Sequence, residues 1–123
     1  MALNGISGQN HTLIQSHTFD FLETAQHRGQ TFDLAVVDPP SYSTTRVGSQ
    51  AFDVSKDHPK LLRAVMGVMR NGATLFFSTN HQNFQPDMEG LKAASVREIT
   101  GVTIPKDYVS KRKFIHRCWQ ITV

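Results

Sequence analysis

The stretch FDLAVVDPPSYS, residues 32–43, limits the choice of fold more than any other part of the chain. Leu34, Ala35, Val36 and Val37 make a continuous apolar run, which suits a strand buried on both faces, as in a parallel sheet. Pro39 and Pro40 cannot continue a ladder, so the strand stops at Asp38. A carboxylate, two rigid residues and Tyr42 then lie just past the carboxyl end of a central strand. Open α/β sheets bind their ligands there.

The 123 residues suit one domain, residues 1–123, with one modest core. With 13 Lys+Arg, 10 Asp+Glu and 6 His the chain is mildly basic, a balance that allows an anionic partner without demanding one. One cysteine excludes an internal disulfide and fits a reducing compartment. No apolar run approaches the ~18 residues of a membrane helix, and MALNGISGQN lacks the pattern of an export signal. The expected location is the cytoplasm.

HTLIQS reads as a short strand centred on Leu13 and Ile14. TFDFLETAQHRG reads as a helix with Thr18 as N-cap, Phe21, Leu22 and Ala25 on one stripe, and Gly29 as its end. After the strand Phe32–Val37 comes SYSTTRVGSQAF, a polar loop long enough to suggest a role. DVSKDHPKLLRAVMGVMRNG reads as the second helix, buried along Leu61, Leu62, Val65, Val68 and Met69, with Asn71-Gly72 as the stop. ATLFFST is a second buried strand and PDMEGLKAA a short helix with Pro86 in its first turn. REITGVTI and FIHRCWQITV read as the last strands, joined by the basic PKDYVSKRK. The order β-α-β-α-β-α-β-β gives an α/β fold with a mainly parallel sheet.

DPPSYS after a buried strand, then FDVSKDHPKLL, GATLFFSTN and IHRCWQI in order, together resemble the class I S-adenosylmethionine-dependent methyltransferases of ribosomal RNA. The nearest resemblance is to the large-subunit guanine-N7 enzymes and their cytosine-C5 relatives, and it spans nearly the whole chain. It implies a partial Rossmann-like methyltransferase fold with an antiparallel carboxyl-terminal strand. The family's donor site opens with a strand and a glycine-rich turn, and an acid on its second strand holds the ribose hydroxyls. Neither is present here, so the chain reads as the carboxyl-terminal part of the catalytic domain, lacking the first two strands.

The resemblance implies roles for particular residues. Asp38, Pro39 and Pro40 would lie beside the transferable methyl and orient the target base, the bland alternative being a strand-ending turn. Ser16, His17 and Asp38 would face the methyl donor, although the family usually has an acid where His17 stands. A neutral imidazole accepts one hydrogen bond and is the poorer substitute. Tyr42 would stack on an extruded base or pack on its own loop. Asn80 would touch substrate or close an Asx turn. Lys106, Lys111, Arg112, Lys113 and Arg117 form a basic cluster for RNA phosphates or a solvated loop. Cys118 would be the nucleophile only in cytosine-C5 chemistry, and reads instead as a buried thiol sharing a face with His116 and Gln120. The histidines show no metal spacing.

The implied activity is methyl transfer from S-adenosylmethionine to a base of ribosomal RNA, with the isolated chain binding the donor weakly. The rivals are a non-catalytic fragment and one piece of a split enzyme. The family's strand order would leave HTLIQS two places from FDLAVVD. Sliding the two together gives the chain's own strands the order first, second, third, fifth, fourth. Both main helices then cover one face, and the bare opposite face points to a homo-oligomer or a missing amino-terminal half.

Overall fold

In the computed structural model, two helices lie against one face of a four-stranded sheet; the structure describes residue 5 and residues 10–44, 51–106 and 116–123. In chain order the elements begin with α1 (Thr18–His27), β1 (Phe32–Val37), β2 (Tyr42–Ser43), β3 (Phe52–Asp53) and α2 (Val54–Met66). They continue with β4 (Met69–Thr79), a 3-10 turn at Glu89–Leu91, β5 (Ser95–Glu98), α3 (Thr100–Thr103) and β6 (Arg117–Thr122). The main sheet has the order β1-β4-β6-β5. β1 and β4 are parallel, and β6 is antiparallel to both of its neighbours. β1, β4 and β5 therefore run the same way. The fold is mixed α/β with a mostly parallel set of strands, in the order expected for all but the first of them.

That first strand does not form. Residues 11–16 pair with no strand among the described residues, and Leu13 and Ile14 are 78% and 60% exposed. A strand is stable as part of a sheet only where a neighbour takes its hydrogen bonds, and exposed backbone without one is solvated instead. β1 is consequently an edge strand rather than one buried on both faces, with Leu34 and Val36 60% and 73% exposed.

The core lies on the helical side. Side chains at i and i+2 along β4 share a face, so Ala73, Leu75, Phe77 and Thr79 point into the core while Thr74, Phe76 and Ser78 point away. Register partners share a face too, which sets Trp119 beside Phe77 and Ile121 beside Leu75. Leu22 and Ala25 of α1 and Leu61, Leu62 and Val65 of α2 close over them. The Asp53 side chain accepts from the Ser55 amide at 2.9 Å, and Asp57 accepts from the Asp53 amide at 2.8 Å. This reciprocal cap starts α2 where strand β3 stops.

His58 ties the far side of the core to a loop. Its Nδ1–H donates to the Val54 carbonyl at 2.7 Å, and its Nε2 accepts from the Asp87 amide at 3.0 Å. The ring packs between Phe77 and Phe84.

Other boundaries differ from those the sequence suggests. His17, not Thr18, is the N-cap of α1, and it caps through no side-chain bond. α2 ends before Gly67, since the Val68 carbonyl already accepts from the Phe32 amide. Asn71-Gly72 is instead an irregularity inside β4, where Gly72 takes the left-handed conformation glycine allows (φ +82°). PDMEGLKAA shrinks to the 3-10 turn, because the Asp87 amide is held by His58 and Lys92 turns left-handed. REITGVTI breaks after Glu98. There Thr100 Oγ1 takes the Cys118 amide at 3.0 Å, so a side chain replaces the next ladder bond.

Candidate functional site

Val37 is the register partner of Phe77, so the next residues, Asp38 and Ser78, meet where the strands end. Ser78 in turn is the partner of Cys118. A polar row Asp38, Ser78, Cys118 thus crosses three strands on the face away from the helices. Asn80, two residues past Ser78, and His116, two before Cys118, lie beyond it. The same face carries Leu34, Val36 and Phe76 further back, so it changes from apolar to polar toward the carboxyl ends of β1 and β4.

Asp38, Pro39 and Pro40 form a wall between two concavities. One, of about 480 Å³, is mainly apolar and holds Ser16 and His17 together with Phe19, Val36 and Phe52. The other, of about 760 Å³, is more polar and holds Ser41, Tyr42, Ser78, Asn80, His116 and Cys118. The fold therefore gathers Ser16, His17, Asp38, Pro39, Pro40, Tyr42, Asn80 and Cys118 around the proline turn, with the donor-side and base-side candidates on opposite sides of it, whereas Lys106 and Arg117 line neither concavity. Lys111, Arg112 and Lys113 lie outside the described residues.

Tyr42 pairs its backbone with Asp53, and the residue is 61% exposed. The turn after β4 is closed by Thr79, whose Oγ1 accepts from the His81 amide, so Asn80 is not spent on an Asx turn. Its side chain accepts from Ser41 Oγ at 2.9 Å. Arg117 is half-buried and committed to contacts within the chain. It donates to Glu98 and to the Phe84 carbonyl and lies over the Trp119 ring, which removes it from the phosphate-facing cluster. Its hydrogen bond to Glu98 holds that carboxyl below its ordinary range.

Cys118 is buried, and its thiol is pushed up first by burial and then by the Asp38 charge. A protonated thiol is a poor nucleophile, which argues against the cytosine-C5 route. Iodoacetamide at neutral pH should alkylate Cys118 at least about tenfold more slowly than free cysteine, as mass spectrometry of the intact chain would show. Alkylation as fast as free cysteine would return Cys118 to the candidate nucleophiles.

Ser41, Ser78 and His116 were not among the residues singled out from sequence. Strand alternation counted back from Asn80 points to Ser78, but its partner Asp38 is visible only in the register.

The sheet order and the proline turn at its carboxyl edge define a methyltransferase-type α/β fold. Two solved structures share it over 98% of this chain and 33% of their own. A proposed methyltransferase in complex with SAH superposes with a TM-score of 0.77 at 24% identity. A proposed SAM-dependent methyltransferase from Streptococcus mutans superposes with a TM-score of 0.72 at 22% identity. No protein-family model matches the chain. The sequence is 35% identical over 119 residues to ribosomal RNA large subunit methyltransferase K of Neisseria meningitidis serogroup B, covering 97% of this chain and 33% of that protein. It is 36% identical over 121 residues to ribosomal RNA large subunit methyltransferase K/L of Methylococcus capsulatus, covering 98% of this chain and 16% of that protein. The chain is thus related over almost all its length to large-subunit ribosomal RNA methyltransferases, and spans a third or less of the length of these two relatives. No helix among the described residues is long and apolar enough to cross a membrane.

Proposed function

We propose that the chain carries the base-side part of a site that transfers a methyl group from S-adenosylmethionine to a base of ribosomal RNA. The observation that carries this reading is the Asp38-Pro39-Pro40 wall, with one concavity on each side. Methyl transfer from a sulfonium is an in-line displacement, so it needs donor and acceptor on opposite sides of one point, aligned and shielded from water. That point is the transferred methyl carbon itself, and the rigid proline turn fixes the rim beside it, past which the two concavities open to each other. Asp38 accepts a hydrogen bond from the base, Pro39 and Pro40 set its plane, and the exposed Tyr42 ring stacks on it. Lys111, Arg112 and Lys113 meet phosphate. Such a substrate implies a cytoplasmic protein.

The donor side fits only in part. Its apolar lining suits a flat ring, and His17 accepts one hydrogen bond. However, no described glycine lines it, and the sequence has no glycine-rich turn after a strand for close backbone approach. Losing several hydrogen bonds of about 1 kcal/mol or more each weakens binding by orders of magnitude. Isothermal titration with S-adenosylmethionine should therefore show no saturation at micromolar concentration, and a micromolar Kd would refute the partial donor site. A second reading, a fragment or piece of a split enzyme without activity of its own, rests on the same incompleteness. Transfer of labelled methyl to large-subunit ribosomal RNA separates the two. With the donor at millimolar concentration, transfer that Asp38→Ala abolishes supports the catalyst. Equal transfer by Asp38→Ala would remove Asp38 from the site.

Among the described residues one face of the sheet is bare and one edge of β1 is unpaired, and both call for a partner. The simplest is a second copy, forming a two-fold dimer.

A further inference from the structure

Ser78 Oγ donates to Asp38 Oδ1 at 2.8 Å, and Ser41 Oγ donates to Asn80 Oδ1 at 2.9 Å. All four residues line the same concavity beside Tyr42. Neither contact joins sequence neighbours. Ser78 meets Asp38 through the parallel register of β1 and β4, and Ser41 reaches Asn80 because the two prolines carry the chain across the end of β4. Each hydroxyl has one proton to give, and each here gives it to an oxygen of the site. The consequences differ. A carboxylate only accepts, so Asp38 has in Oδ2, which takes no hydrogen bond among the described residues, an acceptor for an outside donor. An amide has both functions, and with its oxygen engaged Asn80 has its NH2 left to offer.

We infer that Ser78 and Ser41 are positioning residues that fix the polarity of this concavity, so that it accepts a hydrogen bond at Asp38 and donates one at Asn80 to the edge of a nucleobase. Every nucleobase presents a donor next to an acceptor on its pairing edge, and a base taken out of a helix is read there. The exposed Tyr42 ring supplies the stacking surface. The inference rests on the base-binding reading above but not on methyl transfer. A merely structural role, tying the proline turn to β4, predicts something different: loss of stability with no preference for the base.

Titrations of the full chain with nucleoside 5′-monophosphates, and with ribose 5-phosphate as the base-free control, distinguish the two by NMR shift perturbation. Ser78→Ala and Ser41→Ala should each raise the nucleotide Kd about fivefold, the value of one hydrogen bond, and leave ribose 5-phosphate unchanged. Ser78→Thr keeps the hydroxyl and should restore nucleotide affinity. Asn80→Asp is isosteric but acceptor-only and should lose at least as much as either serine variant. Unchanged nucleotide affinity in both alanine variants, equal losses for nucleotide and ribose 5-phosphate, or no nucleotide binding by the wild-type chain would each overturn the assignment. Hydroxyl-dependent nucleotide binding without any methyl transfer would sink the proposed reaction and leave this inference standing.

Discussion

Phe77→Ala is expected to lower the free energy of unfolding by about 3–5 kcal/mol. Phe77 has no exposed surface, and its ring lies 5.6 Å from Trp119, 5.9 Å from Phe84 and 6.2 Å from His58, centroid to centroid. Truncation removes the apolar contacts and leaves a cavity that these rings cannot all collapse to fill. It also strips one wall from the ring of His58, whose bond to the Asp87 amide holds the loop after β4. Since small domains are stable by only about 5–15 kcal/mol, a large share of the total is lost. Trp119 is the single tryptophan and sits in the cluster, so its fluorescence reports the transition in urea directly. A loss below about 1 kcal/mol would mean that this aromatic cluster is not the centre of the core.

On the opposite face of the same sheet, the double substitution Leu34→Lys and Val36→Lys is expected to halve the mass in solution and to cost the fold almost nothing. Leu34 and Val36 are 60% and 73% exposed, and with Phe76 they make an apolar stripe on and beside a strand that, among the described residues, is paired on one side only. Lysine on an edge is how natural sheets prevent pairing, because joining two copies then brings like charges together. Substitutions at exposed positions usually change stability by no more than about 0.5 kcal/mol. Light scattering at micromolar concentration should therefore give at least twice the monomer mass for the wild-type chain and one monomer mass for the variant. The two melting temperatures should be similar. A wild-type chain that is already a folded monomer would refute the assembly.

These two variants show where sequence reasoning reached and where it stopped. The apolar stripe of α2 was legible because helical periodicity is local: Leu61, Leu62 and Val65 can reach one face together only in a helix. The run Leu34–Val37 was legible as a strand but not as an exposed one, since an apolar residue carries no record of whether a neighbour covers it. HTLIQS failed for the same reason. Its composition suits a strand, and the partner that would make it one is absent among the described residues. REITGVTI and PDMEGLKAA were overruled at a distance, by the Cys118 amide on Thr100 and by His58 on the Asp87 amide.

The proline turn itself was determined by sequence alone. Two consecutive prolines have no amide hydrogen and a fixed φ, so a strand must end at Asp38 whatever surrounds it. The order of the strands was legible through the resemblance of four ordered segments. What Asp38 faces was decided only by tertiary structure. The register of β1 on β4 put Ser78 against its carboxylate, and the path of the turn put Ser41 against Asn80, each across roughly forty residues of chain. Local steric limits are carried by each residue and read in order. Hydrogen bonds between strand ends depend on how whole elements pack, and no pattern within either segment encodes the other.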